Sequence, residues 1–214
     1  MDNGGSHLDH QHIADLFTRA DGSYLCARWG RALVPVVFGV DDATLRVIKG
    51  ALQAVAALAG HPMADTDPEL GANLMVFFCR EWDELLTVPD LDRLIEGLAP
   101  LVAQLRQTGA NQYRVFRFDN NGAIRAAFVF VRMDEHLHAV PAQTLALSQA
   151  VQVILLWSDT AFTDTSPLAL AGETVVLRPE IAGVIRAAYD PVLPPSARDP
   201  AHALRLAARI GPVQ

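Results

Sequence analysis

Lysine is almost missing from this sequence. Lys49 is the only one among 17 basic residues, and the arginines that make up the rest are scattered along the chain. Holding a nucleic-acid backbone takes clustered Lys and Arg. With no basic run and a formal net charge of −7, the chain is expected to have no nucleic-acid partner. Cysteine is as scarce. Cys26 and Cys79 are the two present, too few and too far apart for a disulfide framework or a zinc-finger spacing. They read as two buried thiols, and a single bridge between them stays open if the protein is exported.

Long apolar runs are also lacking. The longest, around 145–157 and 33–40, fall short of the ~20 residues that cross a bilayer, so no membrane span is expected. The first 25 residues hold Asp2, His7, Asp9, His10, His12 and Asp15 and no apolar run, which is not the pattern of a signal peptide. The expectation is a cytoplasmic protein, or a periplasmic or exported one if a leader was removed before residue 1. Signature loops are missing as well. The chain has no Gly-x-Ser-x-Gly elbow, no P-loop and no dinucleotide fingerprint, which disfavours serine-hydrolase, ATP and NAD chemistry.

What is present is a chain of 214 residues, 51% hydrophobic, long enough to bury roughly 70% of its unfolded surface. Residues 1–12 are polar and read as a flexible tail, and 13–214 as a single domain. A short helix is expected over 13–20. The β-branched run 31–40 reads as a strand, and Pro35 places it at a sheet edge or a bulge. Asp41-Asp42 supplies an N-cap for a helix with Leu45, Ile48, Leu52, Val55 and Leu58 on one face, stopped at Gly60. "NLMVFFC" (73–79) reads as a buried strand. Residues 81–109 read as helical, broken near Pro89, kinked at Pro100 and capped by Gly109. Alternating runs flank Asn120-Asn121-Gly122, and Asn-Gly is the strongest short hairpin signal; a hairpin is expected over 113–133. Helices follow at 141–157, 178–189 with Pro179 at its first position, and 200–210, with a loop over 158–172. The order implies an α+β fold: a mixed sheet of about four strands packed against several helices.

Chemistry concentrates in "DEHLHAVPAQTLALSQAVQVILLW" (134–157). Glu135, His136 and His138 lie between a strand and a helix, where loops often carry function. Two histidines two apart face one side only in an extended chain, and a metal centre needs at least three converging ligands. The helix behind them offers Thr144, Ser148, Gln149 and Gln152, and no Asp, Glu or His from 141 to 157. A polar helix cap by Asp134 or Glu135 is the simpler reading. Asp159 and Asp164 sit among hydroxyls in a loop better explained by turns and caps than by calcium. The His7, His10, His12 run could hold a divalent metal loosely, but fits a mobile tail better.

The last third resembles a known family. "LSQAVQVILLWSDTAFTDTSPL" (147–168) and "VIRAAYDPVLPP" (184–195) are similar to the bacterial domain of unknown function 2927. Its helix reads Glu-Glu-x-x-Gln-Ala-Leu-Gly, and its ending Leu-Tyr-Asp-Pro-x-Leu-x-Pro-Gly. Gln149-Ala150-Val151 matches the Gln-Ala-Leu part, Ser158-Asp159 falls near an Asn-Asp of the family, and Tyr189-Asp190-Pro191 with Leu193 and Pro195 matches the ending. Arg28-Trp29 and "GANLMVFF" also resemble it, so the likeness spans residues 25–210. The element order is similar to the core of zinc metalloproteases, whose helix after the sheet carries His-Glu-x-x-His. Here the two family acids fall on about Leu145 and Ala146, which neither bind metal nor move protons. The resemblance therefore implies a zincin-like fold more than an activity. It points to a non-catalytic domain binding a protein or small ligand near Gln149, Gln152 and Asp159, with no confident cofactor. The alternative is a divergent metal-dependent hydrolase in which His136 and His138 bind zinc, with Glu135 as the catalytic acid or base and Asp159 beside them. Neither the oligomeric state nor the partner is legible.

Overall fold

A computed structural model describes residues 9–210. Its centre is a four-stranded mixed sheet in the order β2 (Pro35–Phe38), β3 (Leu74–Cys79), β5 (Ile124–Arg132), β4 (Gln112–Phe118). The first three strands run parallel, and β4 pairs antiparallel with β5 through the hairpin. Pro35 opens an edge strand, as its missing N–H requires. Gly122 takes φ +77 in the turn, a conformation that side-chain-bearing residues rarely adopt.

The central strands are buried on both faces. Leu74 and Val76 of β3 and Ala127, Val129 and Val131 of β5 point into the larger core. Phe77, Phe128 and Phe130 point into a second one. That two-sided burial explains why "AFVFV" reads as a continuous apolar run rather than an alternating one. The larger core lies beneath α2 (Asp42–Leu58) and α6 (Ala142–Ile154), which pack side by side, and also takes in residues of α7 (Pro179–Ala188) and α8 (His202–Ile210). The second lies beneath a 3-10 helix (Trp82–Thr87), α3 (Leu91–Leu94) and α4 (Leu98–Gln107).

Several expectations are corrected. The first helix, α1, is His10–Asp15, capped by the Asp9 carboxylate on the His12 N–H, so residues 9–12 are part of the fold and not of a tail. The 81–109 helix breaks twice. It parts at Pro89 and again before Gly97, which takes φ +71. Pro100 therefore falls in the first turn of α4, where its missing N–H costs nothing, and the expected kink does not occur. The loop expected over 158–172 is shorter, because β6 (Leu168–Ala171) and β7 (Thr174–Leu177) form a second hairpin around Gly172. A further pairing, β1 (Cys26–Ala27) with β8 (Ser196–Ala197), ties residues 26–27 to 196–197. Both cysteines are free and buried, in different cores. Burial pushes the Cys26 thiol up to about 12 and the Cys79 thiol up to about 11, which leaves both unreactive at neutral pH. No helix among the described residues is long and apolar enough to cross a membrane.

Candidate functional site

Helix α6 carries no charged residue, and its apolar side chains turn inward, as in a helix packed into a core. Leu145, Ala146, Ala150, Val151, Val153 and Ile154 are all buried. One polar residue is buried with them: Gln149, 4% exposed. A desolvated amide must find partners inside the protein, and Gln149 finds them on the edge strand β4. Its Oε1 accepts from Arg114 Nη2 at 2.7 Å, and its Nε2 donates to Gln112 Oε1 at 2.8 Å. Arg114 Nη2 also donates to Gln112 Oε1 at 2.9 Å. The three side chains close a triangle between helix and strand.

Arg114 is the unusual member. Among the described residues it has no ion-pair partner. Its Nε is buried with no acceptor. Burial alone pulls its pKa down to about 10, so it stays cationic at neutral pH. A desolvated charge held only by neutral amides is expensive to keep. Beside it a cavity of about 290 Å³ opens between α6, β4 and the loop that begins at Ser158, lined among others by Arg19, Phe116, Gln152, Trp157 and Asp159. Asp159 Oδ1 accepts from the Ala20 N–H at 3.1 Å, and Gln152 donates to the Ser148 hydroxyl at 2.9 Å. Gln152 and Asp159 line this cleft, and Gln149 adjoins it through its bonds to Arg114 and Gln112. Arg114 and Gln112 were not anticipated. The signal for them was two arginines inside the alternating run "YRVFRF", on a strand whose partner is mostly buried.

The residues of the 134–138 stretch go elsewhere. They form a short helix, α5 (Glu135–His138), capped by Asp134, whose Oδ1 accepts the Leu137 N–H at 2.9 Å. That bond first, and the Asn111 amide second, hold the Asp134 carboxyl below its usual range. Leu137 is buried, while Glu135, His136 and His138 are exposed. On a helix, residues two apart point in different directions, so the extended geometry that would let His136 and His138 face one side is not adopted. His138 lines a second, larger cavity of about 440 Å³ beyond the C-terminal ends of β2 and β3, whose lining includes Leu145 and Ala146. Asp159 lines the other cleft. Among the described residues, no three of His, Cys, Asp and Glu come together to hold a metal ion. His10 and His12 border different cavities, and His7 lies outside the described residues. Asp164 is also apart from Asp159, in the cavity next to α1.

Arg28, Trp29 and Tyr189 meet at the C-terminal end of α6. The C-terminal carbonyls of α6 have no helical partners, and large side chains satisfy them. Trp29 Nε1 donates to Val153 O, Trp157 Nε1 to Val151 O and Tyr189 Oη to Ile154 O, each at 2.8 Å. The Trp29 N–H donates to the Tyr189 oxygen, and the Arg28 guanidinium lies 5.6 Å from the centre of the Tyr189 ring. Arg28-Trp29 and Tyr189 therefore form a clasp on the end of α6. Comparison with protein-family models, with curated proteins and with solved structures returns no match.

Proposed function

We propose that this chain is a non-catalytic, zincin-like domain that works by binding, with its site in the cleft between α6 and β4. One observation carries the reading: on the helix where a metalloprotease-like fold keeps its ligands, the single buried polar side chain, Gln149, is a neutral amide spent in a triangle with Arg114 and Gln112. An amide neither ligates zinc strongly nor takes a proton from water. The positions matching the family acids, Leu145 and Ala146, are apolar and buried. Further support comes from the order β2-β3-β5-β4, with one antiparallel edge strand beside α6. Of the residues the resemblance implies for binding, Gln152 and Asp159 line the cleft and Gln149 adjoins it through Arg114 and Gln112.

The hydrolase alternative, with a zinc held by His136 and His138, needs Glu135 and Asp159 beside them. The exposed α5 side chains and the separate cavity of Asp159 do not favour it. Metal analysis of untagged protein after exposure to zinc tests the choice. The expected result is no stoichiometric zinc and no difference in the double variant His136→Ala, His138→Ala. Stoichiometric zinc that is lost in that variant would overturn the binding-domain reading.

A further inference from the structure

We propose that the α6–β4 cleft receives a small organic carboxylate with an apolar body, its charge met by Arg114. The inference rests on the binding-domain reading and names the class of ligand for that site. Four observations converge on it. The first is the lone cation. Other arginines with an unsatisfied buried Nε have compensation: Arg31 pairs with Asp67 at 3.5 Å, Arg132 with Asp134 at 3.7 Å, and Arg28 lies against the Tyr189 ring. Arg114 has only the two glutamine oxygens, and both of its bonds leave from Nη2. Nη1 donates to none of the described residues and is left to meet a ligand.

The second observation is size. A cavity of about 290 Å³ sits at the lower end of small-molecule sites, so a nucleotide is too large and a compact acid fits. The third is the wall. Phe116, Trp157 and Phe162 line the cleft, and such surfaces favour an apolar or aromatic body. The fourth is the balance of charge at the cleft. Arg19 adds a second positive charge, and Asp159 is the single carboxylate. The net field favours an anion. The 440 Å³ cavity has no Arg or Lys in its lining and carries Asp41 instead, so it offers no comparable reception.

Titration of isotope-labelled protein, followed by NMR, tests the proposal with three probes. They are phenylacetate, its neutral counterpart phenylacetamide, and inorganic phosphate. Phenylacetate is expected to shift the Trp157 indole N–H and the side-chain amides of Gln112, Gln149 and Gln152 saturably, with a Kd on the order of millimolar, as suits one charge contact. Phenylacetamide and phosphate are expected to bind at least ~10-fold more weakly, since each lacks one of the two features the cleft recognises. Arg114→Met, which keeps the length of the stem and removes the charge, should weaken phenylacetate by at least ~10-fold. Asp159→Asn should tighten it and Arg19→Gln weaken it, and these two surface variants carry the test if Arg114→Met does not fold. The proposal is overturned by any of three results: no saturable shift, equal binding of the amide, or retained affinity in folded Arg114→Met. Phosphate binding as tightly as phenylacetate would overturn the apolar body. Stoichiometric zinc would sink the non-catalytic reading without altering these titrations. Failed titrations on metal-free protein would instead sink the ligand class alone.

Discussion

Two successive turns of α6, at Leu145–Ala146 and at Gln149, meet opposite surroundings. Around Leu145 and Ala146 the helix borders an apolar cavity whose nearest titratable neighbours, Asp41 and His138, are on exposed positions. One turn later, at Gln149, it meets a half-buried arginine and the Gln112 amide, beside an aromatic-walled cleft. Both stretches are buried, so hydrophobicity does not separate them. The difference is whether the neighbouring element brings charge. α2 packs beside the helix with apolar residues, while β4 brings Arg114 across from Gln149. A functional position on a buried helix is thus found by asking what its neighbour cannot satisfy.

That contrast can be broken at either end. The largest effect is expected from restoring an acid to the apolar end. Ala146→Glu places a carboxylate at a position 1% exposed with no Arg or Lys lining the adjoining cavity, and should cost about 3 kcal/mol or more. Urea unfolding measures this, and a loss within ~0.5 kcal/mol would show that the apolar end tolerates charge. At the polar end, Gln149→Leu removes an acceptor from a charged donor and should cost about 2 kcal/mol. In the double variant with Arg114→Met, most of that loss should disappear, because no cation is left to satisfy. Additive losses in that cycle would deny the coupling. At the clasp, Tyr189→Phe leaves the Ile154 carbonyl without its phenol donor and should cost about 1 kcal/mol, seen as a lower urea midpoint at unchanged m-value.

The smallest effect concerns pH. Burial first, then nearby arginines, lower the pKa of His202 from 6.5, and burial lowers that of His61 likewise. Each histidine is held neutral in the fold and takes up a proton more readily when unfolded. Stability is therefore complete above about 6.5 and falls as pH drops below it, until the folded-state value is reached. Melting temperatures across that window should decline in the parent protein, and less so in His202→Gln. An identical slope in the variant would remove His202 from the account.

Much of the fold was legible because local signals and burial agreed. Asn121-Gly122 announced the first hairpin, Asp41 capped its helix through the Thr44 N–H as expected, and Pro35 marked an edge. Misreadings arose where the sequence signal was local but the decision was not. Pro100 reads as a kink until Gly97 restarts the helix just before it. "LALAGETVVL" is two short apolar runs around a glycine, yet Asp, Thr and Ser upstream drew its start into a loop. Gln149, Gln152 and Asp159 could be read as a group because they lie on one helix and the loop after it. Arg114 could not, since its importance comes from lacking a counter-ion, and only packing determines that. The histidines of 136–138 drew attention through their chemistry, while the buried Leu137 between them fixed their outward direction.

The clasp on α6 also bears on how the chain acquires its shape. Trp29 reaches a carbonyl 124 positions away, and Tyr24 bonds His202 at a separation of 178. The β4–β5 hairpin closes within a short loop and can form early, but the end of α6 stays open until residues near 29 and 189 are both in place. Contacts of such long range are slow to form. A growing chain would therefore carry a paired hairpin and an unfinished helix until its last third has emerged. Pulsed hydrogen exchange should find β5 protected before the amides at the end of α6, and the reverse order would refute that sequence of events.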